Sequence, residues 1–447
     1  MKLIIKIRNN IRKTTILHNN ILQLYKLCIL INVIFSILTT TSTARSITET
    51  PAIPTKYNNV NNSITTQVFH FNETGAICTR IPSMIQLGDY PSAPILAVAE
   101  CRYSSHLIGD DCMPDGYVKP ATPVEPLSVT LCSKISHDNG QTWTQYNNNI
   151  TGFPASQNPT LTYDTVNKRA LLVFNKVEVW LKDYDVWSMY TTDGMTWSTP
   201  NYHLDDLLKT TPARDQTSPG PGNGVQVSIG KYKGRILIPV YFSECGTGNY
   251  THPDCSAVIY SDDGGDTFQS STLPSSTGGW FQGMSESTIA EGKDGTIIVN
   301  MRNSYSGLDT APCNCRGYAI STDGGETFGE LQYDHELYDP GVARGCQGSF
   351  IGIDLPGRGR ELFFSNPHNK TSRVGLIVQV NNASGSGEGG DWVPYYAFGA
   401  TVPAAYSCLA AVKRGDGANN LGLLFETSVD DGCTGMCQIA FLPIDLS

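Results

Sequence analysis

From about Val68 to the C-terminus, short apolar runs alternate with polar turn clusters. The runs are 95–100 (ILAVAE), 127–133 (LSVTLCS), 170–174 (ALLVF), 235–242 (RILIPVYF), 296–302 (TIIVNMR), 361–365 (ELFFS), 374–380 (VGLIVQV) and 421–426 (LGLLFE). Each is short, rich in β-branched or aromatic residues, and bounded by Gly, Asn, Asp or Pro, which predicts many short strands. Only 204–209 (LDDLLK) has a helical pattern.

A repeat runs through this pattern. Ser136-His137-Asp138-Asn139-Gly140-Gln141-Thr142-Trp143 recurs at Ser261–Phe268 and at Ser321–Phe328, with a copy one residue shorter at Thr191–Trp197. The aspartates, Asp138, Asp193, Asp263 and Asp323, are 55, 70 and 60 residues apart. In such a turn Asp and Thr side chains satisfy the backbone, Gly supplies positive φ, and Trp or Phe plugs the strand behind. These positions build the fold and are not read as catalytic. A period of this length with four strands per unit implies six units. The expected architecture is an all-β, six-bladed β-propeller, since radial repetition leaves only short sheet edges. A β-sandwich is the alternative.

Residues 1–44 differ from the rest. They hold Lys2, Lys6, Arg8, Arg12, Lys13 and Lys26, no acidic residue, an apolar run at Leu27–Leu38, and a small-residue end at Ser42–Ala44. That is the form of a secretory signal peptide, with an uncleaved signal anchor as the rival reading. Residues 45–66 read as a flexible lead-in, and 67–447 as the catalytic domain. The whole chain carries net charge −10, and removing the leader leaves −16. With no basic run, nucleic acid is not an expected partner. No apolar stretch after residue 45 is long enough to span a membrane. Charged residues make up only 16%, which argues against coiled coils and helix bundles. Of 13 cysteines, Cys28 lies in the leader, and the remaining even number fits an oxidised framework. Cys245/Cys255 and Cys433/Cys437 read as local loop staples, and no zinc-ligand spacing stands out. Six glycosylation sequons begin at Asn61, Asn72, Asn149, Asn249, Asn369 and Asn382, consistent with a secreted or extracellular chain.

The octapeptide resembles the Asp-box of the sialidase (neuraminidase) family, and the resemblance extends to a set of motifs in family order. These are Arg80-Ile81-Pro82, Ala99-Glu100-Cys101-Arg102, Gly220-Pro221-Gly222 with the following strand, Ser285-Glu286-Ser287 before Asn300-Met301-Arg302, Ser365-Asn366-Pro367 before Arg373, and Ala405-Tyr406-Ser407 before Leu424-Phe425-Glu426. The resemblance implies an exo-α-sialidase acting on sialylated glycoproteins, glycolipids or oligosaccharides, with no metal or other cofactor.

The chemistry of the sugar asks for these residue types. Sialic acid carries a carboxylate on its anomeric carbon, and fixed guanidiniums hold a carboxylate with paired, permanently charged donors. By resemblance Arg80, Arg302 and Arg373 form that clamp, Glu426 steadies Arg80, and Arg102 reaches the sugar's 4-hydroxyl. A carboxylate nucleophile would be repelled by the substrate's own carboxylate; a neutral tyrosine is not. A phenol, with a pKa of about 10, needs a base in hydrogen-bond reach, and Tyr406 with Glu286 matches the family's pair. The general acid is open. The segment after Arg102 offers Asp110, Asp111 and Asp115, with Glu125 nearer the next strand. Counting from Arg102 favours Asp111 or Asp110, while counting back from Asp138 favours Glu125. Asp111 is chosen first, then Asp110. Cys101 and Cys112 bracket this segment and read as a staple.

A trans-sialidase, or a hydrolase of deaminated sialic acid, would use the same residues. A non-catalytic Asp-box glycan-binding propeller would not need Tyr406, Glu286 and the arginines together. A glycosidase of neutral polysaccharides would use two acidic residues and no clamp. The acidic mature chain is therefore expected to hold one positive well where Arg80, Arg302 and Arg373 meet.

Overall fold

The computed structural model describes residues 65–446, apart from 71–72, 104–127, 180–182, 204–216, 243–253, 275–280, 310, 382–391, 429–435 and 437. The leader, nearly all of the 45–66 lead-in and the helix expected at 204–209 lie outside the described residues. Within them the fold is all-β and propeller-like. No helix among them is long and apolar enough to cross a membrane.

Each apolar run falls on a strand with partners on both sides. Ile95–Arg102, for example, lies between Cys78–Gln86 and Val129–Ser136. A strand covered on both faces by neighbouring sheets has no polar face to alternate, so it reads as a continuous apolar run. The sheet is completed by Thr144–Asn147. Met284–Glu291, Ile297–Asn303, Cys315–Ser321 and Gln332–Tyr338 form a second four-stranded sheet. Ser156–Asp164, Arg169–Val179, Asp183–Thr191 and Asn201–Tyr202 form a third, extended by the short Gly222–Asn223, which lies parallel to Ser156–Asp164. Ile236–Phe242 and Cys255–Ser261 centre a fourth.

The largest sheet has seven strands and contains the long strand Trp392–Lys413. That strand serves two partners in turn. Residues 392–403 pair with Val374–Asn381, and residues 404–413 pair with Asn419–Thr427. At its far edge Thr66–Phe69 pairs antiparallel with Gln438–Asp445, joining the start of the described chain to its end. Apolar side chains fill the spaces between sheets. Met84 and Ala97 of one sheet, for instance, pack with Cys408, Leu424 and Phe441 of the next.

The four repeats turn sharply between strands, as their composition requires. In the Ser261 copy, Asp263 Oδ1 accepts from Ser261 Oγ (2.7 Å) and Thr267 N (2.9 Å), and Ser261 Oγ accepts from Gly265 N (2.8 Å). The Ser136 and Ser321 copies repeat this pattern. Gly140 has φ 86°, and a Cβ there would strike the Phe441 ring at 2.0 Å. Trp143 meets the same ring edge-on at 5.5 Å. The octapeptide thus ties each turn to the next sheet.

The disulfides correct two sequence expectations. Cys101 is bonded to Cys132, not Cys112. The two lie on neighbouring antiparallel strands with Cα atoms 5.9 Å apart, so the sheet itself brings them together. The even cysteine count does not mark a fully oxidised set either, since Cys346 and Cys408 are free and buried in apolar surroundings. Cys313 is joined to Cys315, and Cys255 is disulfide-bonded. Cys112, Cys245, Cys433 and Cys437 lie outside the described residues.

Partial burial works to raise the Asp263 carboxyl, but bonds from Thr267 and Ser261 hold it below its ordinary range. Asp263→Ala removes four hydrogen bonds accepted by the carboxylate, from Ser261 Oγ, Asp266 N, Thr267 N and Thr267 Oγ1, and is expected to cost about 1–3 kcal/mol, read as a lower melting temperature at neutral pH. Because the folded-state pKa is depressed, this contribution is present above about pH 4 and is lost as pH falls through the folded value. The gap between variant and wild type should therefore narrow in acid. A gap that widens on acidification would contradict the assignment.

Candidate active site

Four strands carry a register break, and each break contains or flanks a polar side chain. The breaks lie between Arg80 and Ser83, Gln157 and Thr160, Met284 and Ser287, and Ala404 and Ser407. An extra residue in a strand turns its side chain out of the regular alternation. Here the breaks contain or flank Arg80, Asn158, Glu286 and Tyr406. Two are also strained: Ile81 has φ 57° and Asn158 has φ 52°. For a β-branched residue such as Ile81 this is a true outlier, held by its surroundings.

Glu426 provides the hold. It is fully buried and accepts from Arg80 Nε (2.9 Å) and Nη2 (2.8 Å), from Ile81 N (2.8 Å) and from Tyr406 N (3.2 Å). One carboxylate, 346 residues along the chain from Arg80, thus ties the first arginine to the backbone of the tyrosine.

Tyr406 is the centre of the cluster. Its hydroxyl donates to Glu286 Oε1 and accepts from Arg302 Nη1 at 3.0 Å. The same Nη1 donates to Glu286 Oε2. The Arg80 and Arg373 guanidinium carbons lie 5.1 Å and 5.7 Å from the Tyr406 ring centroid. Arg80 and Arg302, on separate strands, and Arg373, just before a third, therefore converge on Tyr406, with Glu286 between Arg302 and the phenol. Burial works to raise the Glu286 carboxyl, but Arg302 and the Tyr406 bond hold it below its ordinary value. Burial and the neighbouring Glu286 charge push the Tyr406 phenol up, against the pull of the three arginines. The resting proton accordingly sits on Tyr406, with Glu286 ionised.

Arg102 donates to Glu100 through Nε (3.0 Å) and Nη2 (2.6 Å), and Glu100 is 1% exposed. Glu100 Oε1 also accepts from Asn158 N at 2.9 Å. Asn158 Nδ2 reaches the Tyr241 hydroxyl at 3.2 Å. Burial first, then Glu286 and Tyr406, drive the Tyr241 phenol well above its ordinary range, so it is neutral. Glu100, Asn158 and Tyr241 had no assigned role from sequence. The available signal was Asn158-Pro159, two residues disfavoured inside a strand.

Asp110, Asp111, Asp115 and Glu125 lie in segment 104–127, outside the described residues. Its flanks are joined by a hydrogen bond from Tyr103 N to Ser128 O (3.0 Å), next to Arg102. Among the described residues, Cys313, Cys315 and His335 alone bring three potential metal-binding atoms together, but the two thiols are spent in a disulfide.

The family described as "BNR repeat-like domain" matches residues 127–393. A sialidase of Paraclostridium sordellii is 27% identical over 404 residues, covering 83% of this chain and 87% of that protein. A sialidase of Micromonospora viridifaciens is 28% identical over 239 residues, covering 53% of this chain. The match spans only 32% of the Micromonospora protein. Among solved structures, a microbial sialidase titled Hz136 superposes with a TM-score of 0.63 at 17% identity, over 86% of this chain and 68% of that one. Repeat, sheet architecture and these matches agree: the chain belongs to the BNR repeat-like family and is a member of the sialidase family.

Proposed function

We propose that the protein is a secreted, retaining exo-α-sialidase that releases terminal sialic acid from sialylated glycoproteins, glycolipids or oligosaccharides. The observation that carries this reading is the Tyr406–Glu286 hydrogen bond enclosed by Arg80, Arg302 and Arg373. A glycan-binding propeller has no use for a phenol bonded to a buried base beside three converging guanidiniums. The leader at 1–44 and the sequons support export. The double pairing of Trp392–Lys413 supports a division of the seven-stranded sheet into two blades, and so six blades in all.

In this mechanism the substrate carboxylate is held by Arg80, Arg302 and Arg373. Tyr406 attacks the anomeric carbon while its proton passes to Glu286. The raised phenol means that proton leaves as the bond to carbon forms, not before. Asp111, or Asp110, protonates the departing glycosidic oxygen. The tyrosyl–sugar bond is then cleaved by water, activated by the same acid group acting as base, with retention of configuration. The oxocarbenium-like transition state is stabilised by its own clamped carboxylate and by the fixed dipoles around it. Arg102, anchored by Glu100, would meet the sugar's 4-hydroxyl.

The test is release of a fluorogenic alcohol from a sialoside by residues 45–447. Glu286→Gln is expected to lower kcat by roughly 10²–10⁴-fold, and Tyr406→Phe by at least as much. No turnover by the wild type, or full activity of Tyr406→Phe, would sink the reading.

Comparing Asp110→Asn with Asp111→Asn separates the acid candidates. The true acid should lose more rate on a natural sialoside than on an activated aryl sialoside, whose leaving group needs no proton. Equal losses on both substrates for both variants would remove the pair from consideration.

The pH profile carries a third prediction. Catalysis needs ionised Glu286, whose pKa is depressed from 4.5. The acid limb of kcat/KM should therefore fall below that value and disappear in Glu286→Gln. An acid limb above it would place the critical base elsewhere.

A further inference from the structure

Arg302 and Arg373 come from different sheets, yet one short segment, 339–347, holds both from behind. Arg302 Nε donates to the Arg344 carbonyl and Arg373 Nη2 to the Gly345 carbonyl, each at 2.9 Å. Two successive carbonyls thus set the spacing of two guanidiniums that face Tyr406. Presenting them this way takes left-handed backbone at both residues, φ 55° at Arg344 and φ 82° at Gly345. That conformation is uncommon for arginine and persists only where the surroundings over-determine it.

A pair of fully buried charges lies beneath the segment. Asp339 and Arg316 are both 0% exposed, with Arg316 Nη1 at 3.4 Å from Asp339 Oδ2. Asp339 Oδ1 accepts from Cys346 N, the residue after Gly345, at 2.7 Å. Its Oδ2 accepts from Asn303 N, the residue after Arg302, also at 2.7 Å. Arg316 Nη1 donates to the Cys346 carbonyl, and its Nε to Asn300 Oδ1 at 2.8 Å. The fit is close, since a Cβ on Gly345 would stand 2.7 Å from Asp339 Oδ1. A buried ion pair adds little net stability, because desolvating two charges offsets their attraction. What this pair does supply is a set of directed bonds locking the 344–346 backbone to the strand that carries Arg302.

We propose that Arg316 and Asp339 form a positioning unit for the substrate clamp, setting the Arg344 and Gly345 carbonyls and through them the Arg302 and Arg373 guanidiniums. This rests on the sialidase reading. The pair touches no substrate. It acts on how tightly the sugar carboxylate is bound, more than on the Tyr406–Glu286 chemistry.

The experiment compares wild type, Arg316→Met, Arg316→Lys and Gly345→Ala for kcat and KM on the fluorogenic sialoside. Calorimetry with free sialic acid gives Kd, and melting is followed in parallel. Arg316→Met is expected to raise KM and Kd together by roughly tenfold, with kcat within about threefold, the pattern of lost uniform binding. Arg316→Lys, which keeps the charge, should recover part of the loss. Gly345→Ala, whose Cβ would press on the Asp339 carboxylate from a backbone of positive φ, should raise both constants by displacing the Gly345 carbonyl, and it decides the matter if Arg316→Met does not fold. Unchanged KM and Kd in folded variants, whatever their melting temperature, overturn the inference, as does a fall in kcat alone. A wild type that neither turns over a sialoside nor binds sialic acid overturns the sialidase reading, and this inference with it.

Discussion

The Glu426 carboxylate sits where the two ends of the described chain meet. Its four acceptor contacts reach Arg80, the strained Ile81 and the Tyr406 backbone. An unpaired guanidinium with the 6% exposure of Arg80 would be costly, and three cations around one ring repel each other. Glu426 offsets both penalties at once, and its bond to Ile81 N helps hold a backbone conformation that Ile81 would otherwise avoid. The pairing of Thr66–Phe69 with Gln438–Asp445 keeps these distant segments in one body. Sheet closure and site assembly are in this sense the same event.

Buried countercharges recur around the cluster. Glu100 backs Arg102, Glu286 backs Arg302, and Asp339 backs Arg316. Arg373 Nη2 rests on the Gly345 carbonyl. Guanidiniums fixed in this way lose little freedom when an anion arrives. Exposed acidic side chains lie elsewhere, for example Asp89 and Asp309. Local field and net charge are separate quantities.

The eight apolar runs marked strands correctly because those strands are covered on both faces, so their whole length must be apolar. The strands that open the sheets were harder to see. Cys78–Gln86, Ser156–Asp164 and Met284–Glu291 mix polar and apolar residues, since they carry the bulges and the site. Arg80, Glu286, Arg302, Arg373, Tyr406 and Glu426 were singled out through motif order, while Glu100 stood in a motif without a role and Asn158, Tyr241, Arg316 and Asp339 were not singled out. Glu100 meets Arg102 two residues away, but it also meets the distant Asn158 amide, and the others depend on backbone amides, carbonyls and buried side chains that no local pattern pairs with them. The same holds for Cys101, whose partner Cys132 is 31 residues away but lies on the adjoining strand.

The sequence alone determined the all-β class, the repeat that turns each sheet and the residue types fit to hold a sugar acid. These are local matters of turn chemistry, strand patterning and charge. The tertiary structure decided which side chains meet. Convergence of Arg80, Arg302 and Arg373 on one tyrosine depends on bulges that redirect single residues and on sheet packing that sets their separation. It also depends on carbonyls at Arg344 and Gly345 whose direction follows from backbone dihedrals. Such dihedrals are imposed by contacts with other parts of the fold, and no stretch of the chain specifies them by itself.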